Sequence, residues 1–356
     1  MSSAHEEAVR MPQNERIFSR TSFPVSSFNS LRCIHSADAG AACRPCAALF
    51  FSAVFNTASR APAREGGPAR AGRLFGGDGV PGAPQGRGME FAQILDDVSS
   101  IARQAGEIVM RHFAAPTPTE TKTSRIDVVT AADREVEAYV VAELARRFPD
   151  HHIVGEERGG QGAPHEGARH HWYVDPIDGT VSFASKLPHF CTSIALTTAD
   201  RQPLLGVVYD PTRRELFSAV RGGGAFLDGR PLRVSGTAEL VDAVVASGFP
   251  YDKHTNPDNN LREWAAFITR VRGERRLGSA ALDLCYVAAG RLDGYWEKDL
   301  KPYDTMAGLL IAREAGGRVT GYRGEPEPQL ADRGRYVASN GLLHAAMLEV
   351  LREAAG

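Results

Sequence analysis

Nothing in this 356-residue chain stays apolar for long enough to cross a membrane: the longest such stretches, as in CAALFFSAVF from Cys46 to Phe55, end after about ten residues, and a span needs about 20. A soluble, cytoplasmic protein with no membrane partner is expected. An excess of one charge is missing too. The 41 Lys and Arg stand against 43 Asp and Glu, which argues against the basic stripe of a nucleic-acid binder and points to small solutes as partners. Cysteine is scarce and odd in number. The scattered Cys33, Cys43, Cys46, Cys191 and Cys285 exclude a disulfide framework and fit a reducing compartment. Cys43 and Cys46 form a C-x-x-C, but no second pair follows to complete a zinc site, so the spacing is read as chance.

Lysine is absent from the first 88 residues, which are rich in Ala, Gly, Pro, Ser and Arg and end in GGDGVPGAPQGRG. A segment of that composition cannot bury enough apolar surface to offset its ordering entropy. Glu6 and Glu7 come early for a targeting peptide, and CAALFFSAVF lies too deep for a signal-peptide core. Residues 1–88 are therefore expected to be a disordered or misassigned extension, with translation starting at Met89.

From Met89 the character changes. Ile94, Val98, Ile101, Ala105 and Ile108 recur at helical spacing, and a second helix is expected over residues 132–148, closed by Pro149. Short strands follow at Ile153 and at Trp172. From Ser193 the runs SIALTT, LLGVVYD, ELFSAV, AFL and LRV alternate with turn residues, which predicts an antiparallel meander. Helices are expected again near 260–271, 281–290, 305–315 and 342–354, with strands at RVT and YVAS between them. The pattern is α+β or α/β, with helices layered on sheets.

The chemistry concentrates in WYVDPIDGTVSF from Trp172 to Phe183. Pro176 biases Asp175 towards extended geometry, which places it at the end of the WYV strand. Gly179 permits a tight turn, and Thr180 begins a helix whose free N–H groups suit an anion. Haloacid-dehalogenase phosphatases carry a nucleophilic aspartate in D-x-D-G-T, but D-P-I-D-G-T is one residue longer, and side-chain direction depends on spacing. A plain turn with capping aspartates is the bland alternative. Further acids stand in GEE, at Glu156, and in YDTMAGLLIAREAGG, where Asp304 is placed at a helix N-cap. Were Glu156, Asp175, Asp178 and Asp304 to converge, each pair at about 4 Å would repel by about 4 kcal/mol at an effective dielectric of 20. Cations or protons must offset that. All-oxygen ligands select hard ions, so Mg²⁺ or Mn²⁺ is expected. Two such ions can hold a phosphate and activate water.

GEE, WYVDPIDGTVSF, LPHFCTSIAL and PYDTMAGLLIAREAGG, in that order, resemble the inositol monophosphatase family of Mg²⁺-dependent, lithium-sensitive phosphatases. The resemblance runs from Met89 to the end. It implies a layered αβαβα sandwich of the sugar-phosphatase type in two subdomains: 89–235, α+β and carrying most metal ligands, and 236–356, α/β and supplying Asp304 and substrate contacts. It also implies two or three metal ions and a homodimer. Glu156, Asp175 and the Ile177 carbonyl would hold the first ion; Asp175, Asp178 and Asp304 would hold the second. Glu156 would also face a third ion and the attacking water, which Thr180 and Asp133 would help to deprotonate. Lys122 would sit on a loop over the site. The N–H groups of Gly179 and Thr180 would cradle phosphate beside Asp178, and Ala280, in the Gly278–Ala280 loop, and Glu297 would contact substrate hydroxyls. Val181 and Ser182 depart from the family's usual Thr-Asn. His189 is read as structural, Cys191 and Cys285 as core, and Trp172, Trp264 and Trp296 as packing anchors. The expected activity is hydrolysis of inositol monophosphate or a similar small polyol phosphate by direct attack of water. The alternatives are fructose 1,6-bisphosphate, histidinol phosphate or 3'-phosphoadenosine nucleotides as substrate, or a regulatory role on the same fold.

Overall fold

The computed structural model describes residues 85–115, 118–122, 128–162, 167–326 and 334–355. The expectations for the extension up to residue 84 and for Cys33, Cys43 and Cys46 lie outside the described residues.

The first helix, α1 (Gln85–Ala114), starts four residues before Met89 and buries Val98, Ile101 and Ala105, the stripe that its spacing predicts. A hairpin of β1 (Thr119–Thr121) and β2 (Val128–Thr130) leads into α2 (Ala131–Arg147), where Thr130 and Asp133 form a reciprocal capping box that satisfies donors at the helix start.

An eight-stranded sheet follows. Its strands are β3 (His152–Gly155), β4 (Gly159–Gly162), β5 (His170–Asp178), β6 (Cys191–Thr198), β7 (Pro203–Asp210), β8 (Glu215–Val220), β9 (Ala225–Leu227) and β10 (Arg230–Pro231). The order is β10-β9-β8-β7-β6-β5-β3-β4. From β6 to β10 it is the meander expected from Ser193, and β5 joins its edge, all antiparallel. The expected LRV strand is shifted to Arg230–Pro231. Between β5 and β6 lies the five-residue α3 (Thr180–Ala184).

The second sheet has five strands: β11 (Val244–Ser247), β12 (Gly273–Arg275), β13 (Gly294–Leu300), β14 (Arg318–Thr320) and β15 (Gly334–Ser339), ordered β12-β11-β13-β15-β14. β11 runs parallel to both of its neighbours. The remaining helices are α4 (Leu261–Ile268), α5 (Ala280–Ala288), α6 (Pro302–Glu314) and α7 (His344–Ala355).

Three apolar clusters glue the layers. One joins α1 and α2 to the large sheet through Ile101, Val140, Trp172 and Ile194. A second packs α5 and α6 between the two sheets, with Leu284, Cys285, Met306 and Leu309 fully buried. The third sets α4 and α7 outside the small sheet, where Phe267 stacks on Trp296 at 3.8 Å between ring centroids. The result is the αβαβα sandwich, and Trp172 and Trp296 serve as the expected packing anchors.

Helix backbone packs directly on sheet backbone at Gly206 in β7, where a built Cβ would lie 2.8 Å from the Cα of Ala307 and 2.9 Å from its carbonyl oxygen. That contact fixes the height of the first turn of α6, which carries Asp304. Gly206→Ala is predicted to overpack this backbone contact and to cost roughly 1–3 kcal/mol. Urea unfolding should show a lower midpoint at an unchanged m-value; an unchanged midpoint would refute the close packing.

Candidate functional site

Three elements bring the acids together. β5 supplies Asp175 and Asp178, the end of β3 supplies Glu156, and the first turn of α6 supplies Asp304. The WYV strand does not end at Asp175 as expected but runs on to Asp178, with its pairing to β6 broken between the two aspartates. Pro176 explains the break, since it has no N–H to give the ladder; its carbonyl instead accepts from the Thr192 hydroxyl at 2.9 Å. Nor is Asp304 the N-cap of α6: it is the third residue of the helix, and its carboxylate reaches back to accept from the Lys301 N–H at 2.7 Å. Pro302 at the first helical position removes one orphan donor, so the carboxylate keeps its other oxygen for the site. Ser193 on β6 ties α6 down by donating to the Tyr303 carbonyl at 3.3 Å.

Asp178 is held from a direction that sequence reasoning missed. The Ser279 hydroxyl and the Ala281 N–H both donate to its Oδ2, at 2.6 and 2.7 Å. Ser279 is also the N-cap of α5, accepting from Leu282 N–H. The signal was in the chain: serine before an apolar helical run is a capping pattern. The Gly278–Ala280 loop thus meets the opening motif directly. Gly179 lies at φ 101°, and a Cβ there would come within 2.9 Å of the His189 carbonyl, so the turn between Asp178 and Thr180 needs glycine.

Thr180 and Asp133 meet as the resemblance implied. The Thr180 hydroxyl stands 3.3 Å from Asp133 Oδ1 and 3.1 Å from the Ile177 carbonyl. The other oxygen of Asp133 accepts from both the N–H and the hydroxyl of Thr130, at 2.8 and 2.6 Å. Burial raises the Asp133 pKa against those hydrogen bonds.

Lys122 bridges Glu156 at 2.8 Å and Glu157 at 2.5 Å. Burial alone would lower its pKa, but the two carboxylates outweigh it and raise it. Glu157, the second acid of GEE, had no assigned role; its N–H donates to the buried Glu137 at 2.7 Å. On the other side of the site, Tyr295 donates to Glu297 at 2.5 Å, and burial pushes Glu297 up to about 7. His189 lies 3.7 Å from Asp283 and packs edge-on against Tyr286, and its field also lowers the Asp178 pKa, which burial raises. Cys191 and Cys285 are buried, as expected.

The electrostatics identify the centre. Burial raises the Asp175 pKa well above the ordinary range, and Glu156, Asp178 and Asp304 push it further. Asp304 behaves alike, through burial and then Glu156 and Asp178. Burial carries Glu156 to about 7 in spite of Lys122, and raises Asp178 against its hydrogen bonds. Among the described residues these acids are not closed into a ready-made metal cluster. Their donor set nevertheless fits a hard divalent cation: it is all oxygen, and Asp175 Oδ1 is buried without any hydrogen-bond partner, a group that ordinarily requires one.

Residues 92–355 match the sequence pattern of the inositol monophosphatase family. An inositol-1-monophosphatase from Synechocystis sp. is 44% identical over 225 residues, covering 63% of this chain and 77% of its own. A protein of Pseudomonas aeruginosa named Nus factor SuhB is 41% identical over 254 residues, or 70% of this chain and 93% of its own. The solved inositol monophosphatase from Anabaena aligns at a TM-score of 0.67 with 39% identity, over 74% of this chain and 97% of its own. A staphylococcal inositol monophosphatase, solved as a LiCl-soaked inhibitory complex, aligns at 0.62 with 25% identity, over 76% of this chain and 96% of its own.

Raised carboxyl pKa values mean that the folded chain binds protons that the unfolded chain has lost. Without a cation, the stability that these acids contribute is therefore fully present below about pH 4.5 and is lost as pH rises through about 7, the value for Glu156. Asp175→Asn removes one of the repelling charges. In EDTA at pH 8 it is predicted to raise Tm by about 2–8 °C, or roughly 1–2 kcal/mol, with the gap narrowing at pH 5. A lower Tm at pH 8 would contradict the repulsion.

Proposed function

The chain belongs to the inositol monophosphatase family, and from that premise we propose that it is a phosphomonoesterase that hydrolyses inositol monophosphate or a similar small polyol phosphate with Mg²⁺. The observation that carries the proposal is the convergence of Glu156, Asp175, Asp178 and Asp304 around a buried, unpartnered carboxylate oxygen. Glu156, Asp175 and the Ile177 carbonyl are the proposed ligands of one ion, and Asp175, Asp178 and Asp304 of another. When bound, the cations supply Lewis-acid polarisation of the phosphoryl group and neutralise its charge.

The chain's own groups do the rest. The N–H groups of Gly179 and Thr180 orient the phosphate. The Thr180 hydroxyl, beside Asp133, takes up the proton of the attacking water and hands it to that carboxylate, whose pKa burial has raised. Glu297, steadied by Tyr295, holds a hydroxyl of the leaving alcohol. Lys122 neutralises the Glu156 and Glu157 wall at the mouth. Water attacks in line, the P–O bond to the alcohol breaks as the leaving oxygen takes up a proton from solvent, and no phosphoenzyme forms.

The same proposal places most ligands on a subdomain of residues 89–235, and Asp304 with the substrate contacts on 236–356. It includes a homodimer in the cytoplasm and inhibition by lithium, the last supported by the staphylococcal relative. A regulatory reading also has support, from relatives that carry the name Nus factor SuhB.

A phosphate-release screen over inositol, sugar and nucleotide phosphates, with Mg²⁺ and with or without lithium, tests the reading. Turnover is expected on polyol phosphates. Asp175→Asn should lower it well beyond the roughly 10- to 100-fold loss typical of an outer-shell partner, and solvent ¹⁸O should enter the phosphate in a single turnover. Retained activity, or a trapped aspartyl phosphate, would refute the assignment. Partner capture that survives Asp175→Asn would support the regulatory reading.

A further inference from the structure

The substrate side of the site carries positive charge that the roles above do not use. β11, β12 and β13 run parallel, and ligands gather at the carboxyl ends of parallel strands. Lys253 follows the end of β11, Arg276 directly follows β12, and Glu297 lies in β13. The three converge. A Cβ built on Gly278 would lie 2.8 Å from Arg276 Nη1 and 3.4 Å from Ser182 Oγ. The Gly278 carbonyl in turn lies 3.2 Å from a Cβ built on Gly179. The guanidinium therefore stands one residue from the proposed phosphate cradle. Glu297 lies beneath Gly248, where a built Cβ would come within 2.0 Å of its carboxylate. Lys253, half-buried, has a pKa lowered by burial and by Arg276, with Glu297 opposing.

Two neighbouring cations repel each other and call for an anion. Among the described residues neither Lys253 nor Arg276 has an ion pair, whereas Arg272, Arg291 and Lys298 are all paired. Glu297 is a poor counter-charge. It already accepts from Tyr295, and burial holds its pKa near 7 although Arg276 lowers it, so it is only partly ionised at neutral pH; Asp283, raised by burial to about 6, also faces Arg276 but is shared with His189.

We propose that Lys253 and Arg276 form a second anion subsite on the leaving-group side, selecting phosphomonoesters whose alcohol carries a further anionic group, a phosphate or a carboxylate. The inference rests on the phosphomonoesterase reading and narrows its substrate class. Arg276 presents a planar fork suited to either anion, and Lys253 a mobile point charge.

The test compares kcat/KM within two pairs: inositol 1,4-bisphosphate against inositol 1-phosphate, and 2-phosphoglycerate against glycerol 2-phosphate. The full chain is expected to favour the more anionic member of at least one pair by about tenfold, and the responding pair names the anion. Arg276→Gln and Lys253→Gln should each cut that preference roughly threefold or more, as should raising the ionic strength. Arg272→Gln, which removes an exposed arginine paired with Asp242, should leave it in place. No preference in either pair, or a preference that both variants keep, overturns the subsite. If none of the four esters is turned over, the phosphomonoesterase reading fails, and calorimetric Kd ratios for the same compounds and variants decide the subsite by themselves.

Discussion

Buried carboxylates that repel one another are the constraint on which the rest of this structure depends. Asp175, Asp178 and Asp304 are held out of water among each other's fields, with Glu156 completing the set. Pairs of such charges at about 4 Å cost several kcal/mol even at a generous effective dielectric. A fold selected only for stability would replace them with apolar groups. This fold instead spends packing and hydrogen bonds on keeping them in place.

The means are local and can be named. Pro176 breaks the β5 ladder so that Asp175 and Asp178 need not alternate strictly across the sheet. Ser279 and the start of α5 hold Asp178, the Lys301 N–H holds one oxygen of Asp304, and Thr130 holds one oxygen of Asp133. Each of these acids thus has one oxygen fixed by the frame, and the other oxygen of Asp133 faces the Thr180 hydroxyl. Gly206 lets α6 sit directly on β7, and Gly179 lets the chain turn between the last β5 aspartate and Thr180. The positions of the acids follow from backbone geometry more than from side-chain contact between them.

Much of this was legible in the sequence because motif and secondary structure coincide. The α1 stripe at Val98, Ile101 and Ala105, the meander from Ser193, and the acids of GEE, DPIDGT and YDT are all local patterns. What was not legible is non-local. Lys122 meets Glu156 and Glu157 across 34 and 35 positions, and Ser279 meets Asp178 across 101; no periodicity encodes such pairs. Two local expectations also shifted. WYV continues as strand through Asp178 because the proline interrupts pairing without ending the extended backbone, and Asp304 caps from inside its helix because Pro302 takes the first helical position. Lys253 and Arg276, without an ion pair among the described residues, are likewise visible only once the ends of β11 and β12 are brought beside β13.

Burial and mutual repulsion make Glu156, Asp175, Asp178 and Asp304 hold protons at a site whose all-oxygen donor set suits cations. A divalent cation such as Mg²⁺, were it to bind among these acids, would displace those protons, since metal ligands bind in their deprotonated form. Titrating Mg²⁺ into weakly buffered protein at neutral pH, with a pH indicator as the readout, measures this directly. A saturable release of about one proton or more per chain is expected, reduced in Asp175→Asn. Saturable binding with no proton release, or with release unchanged in Asp175→Asn, would contradict it.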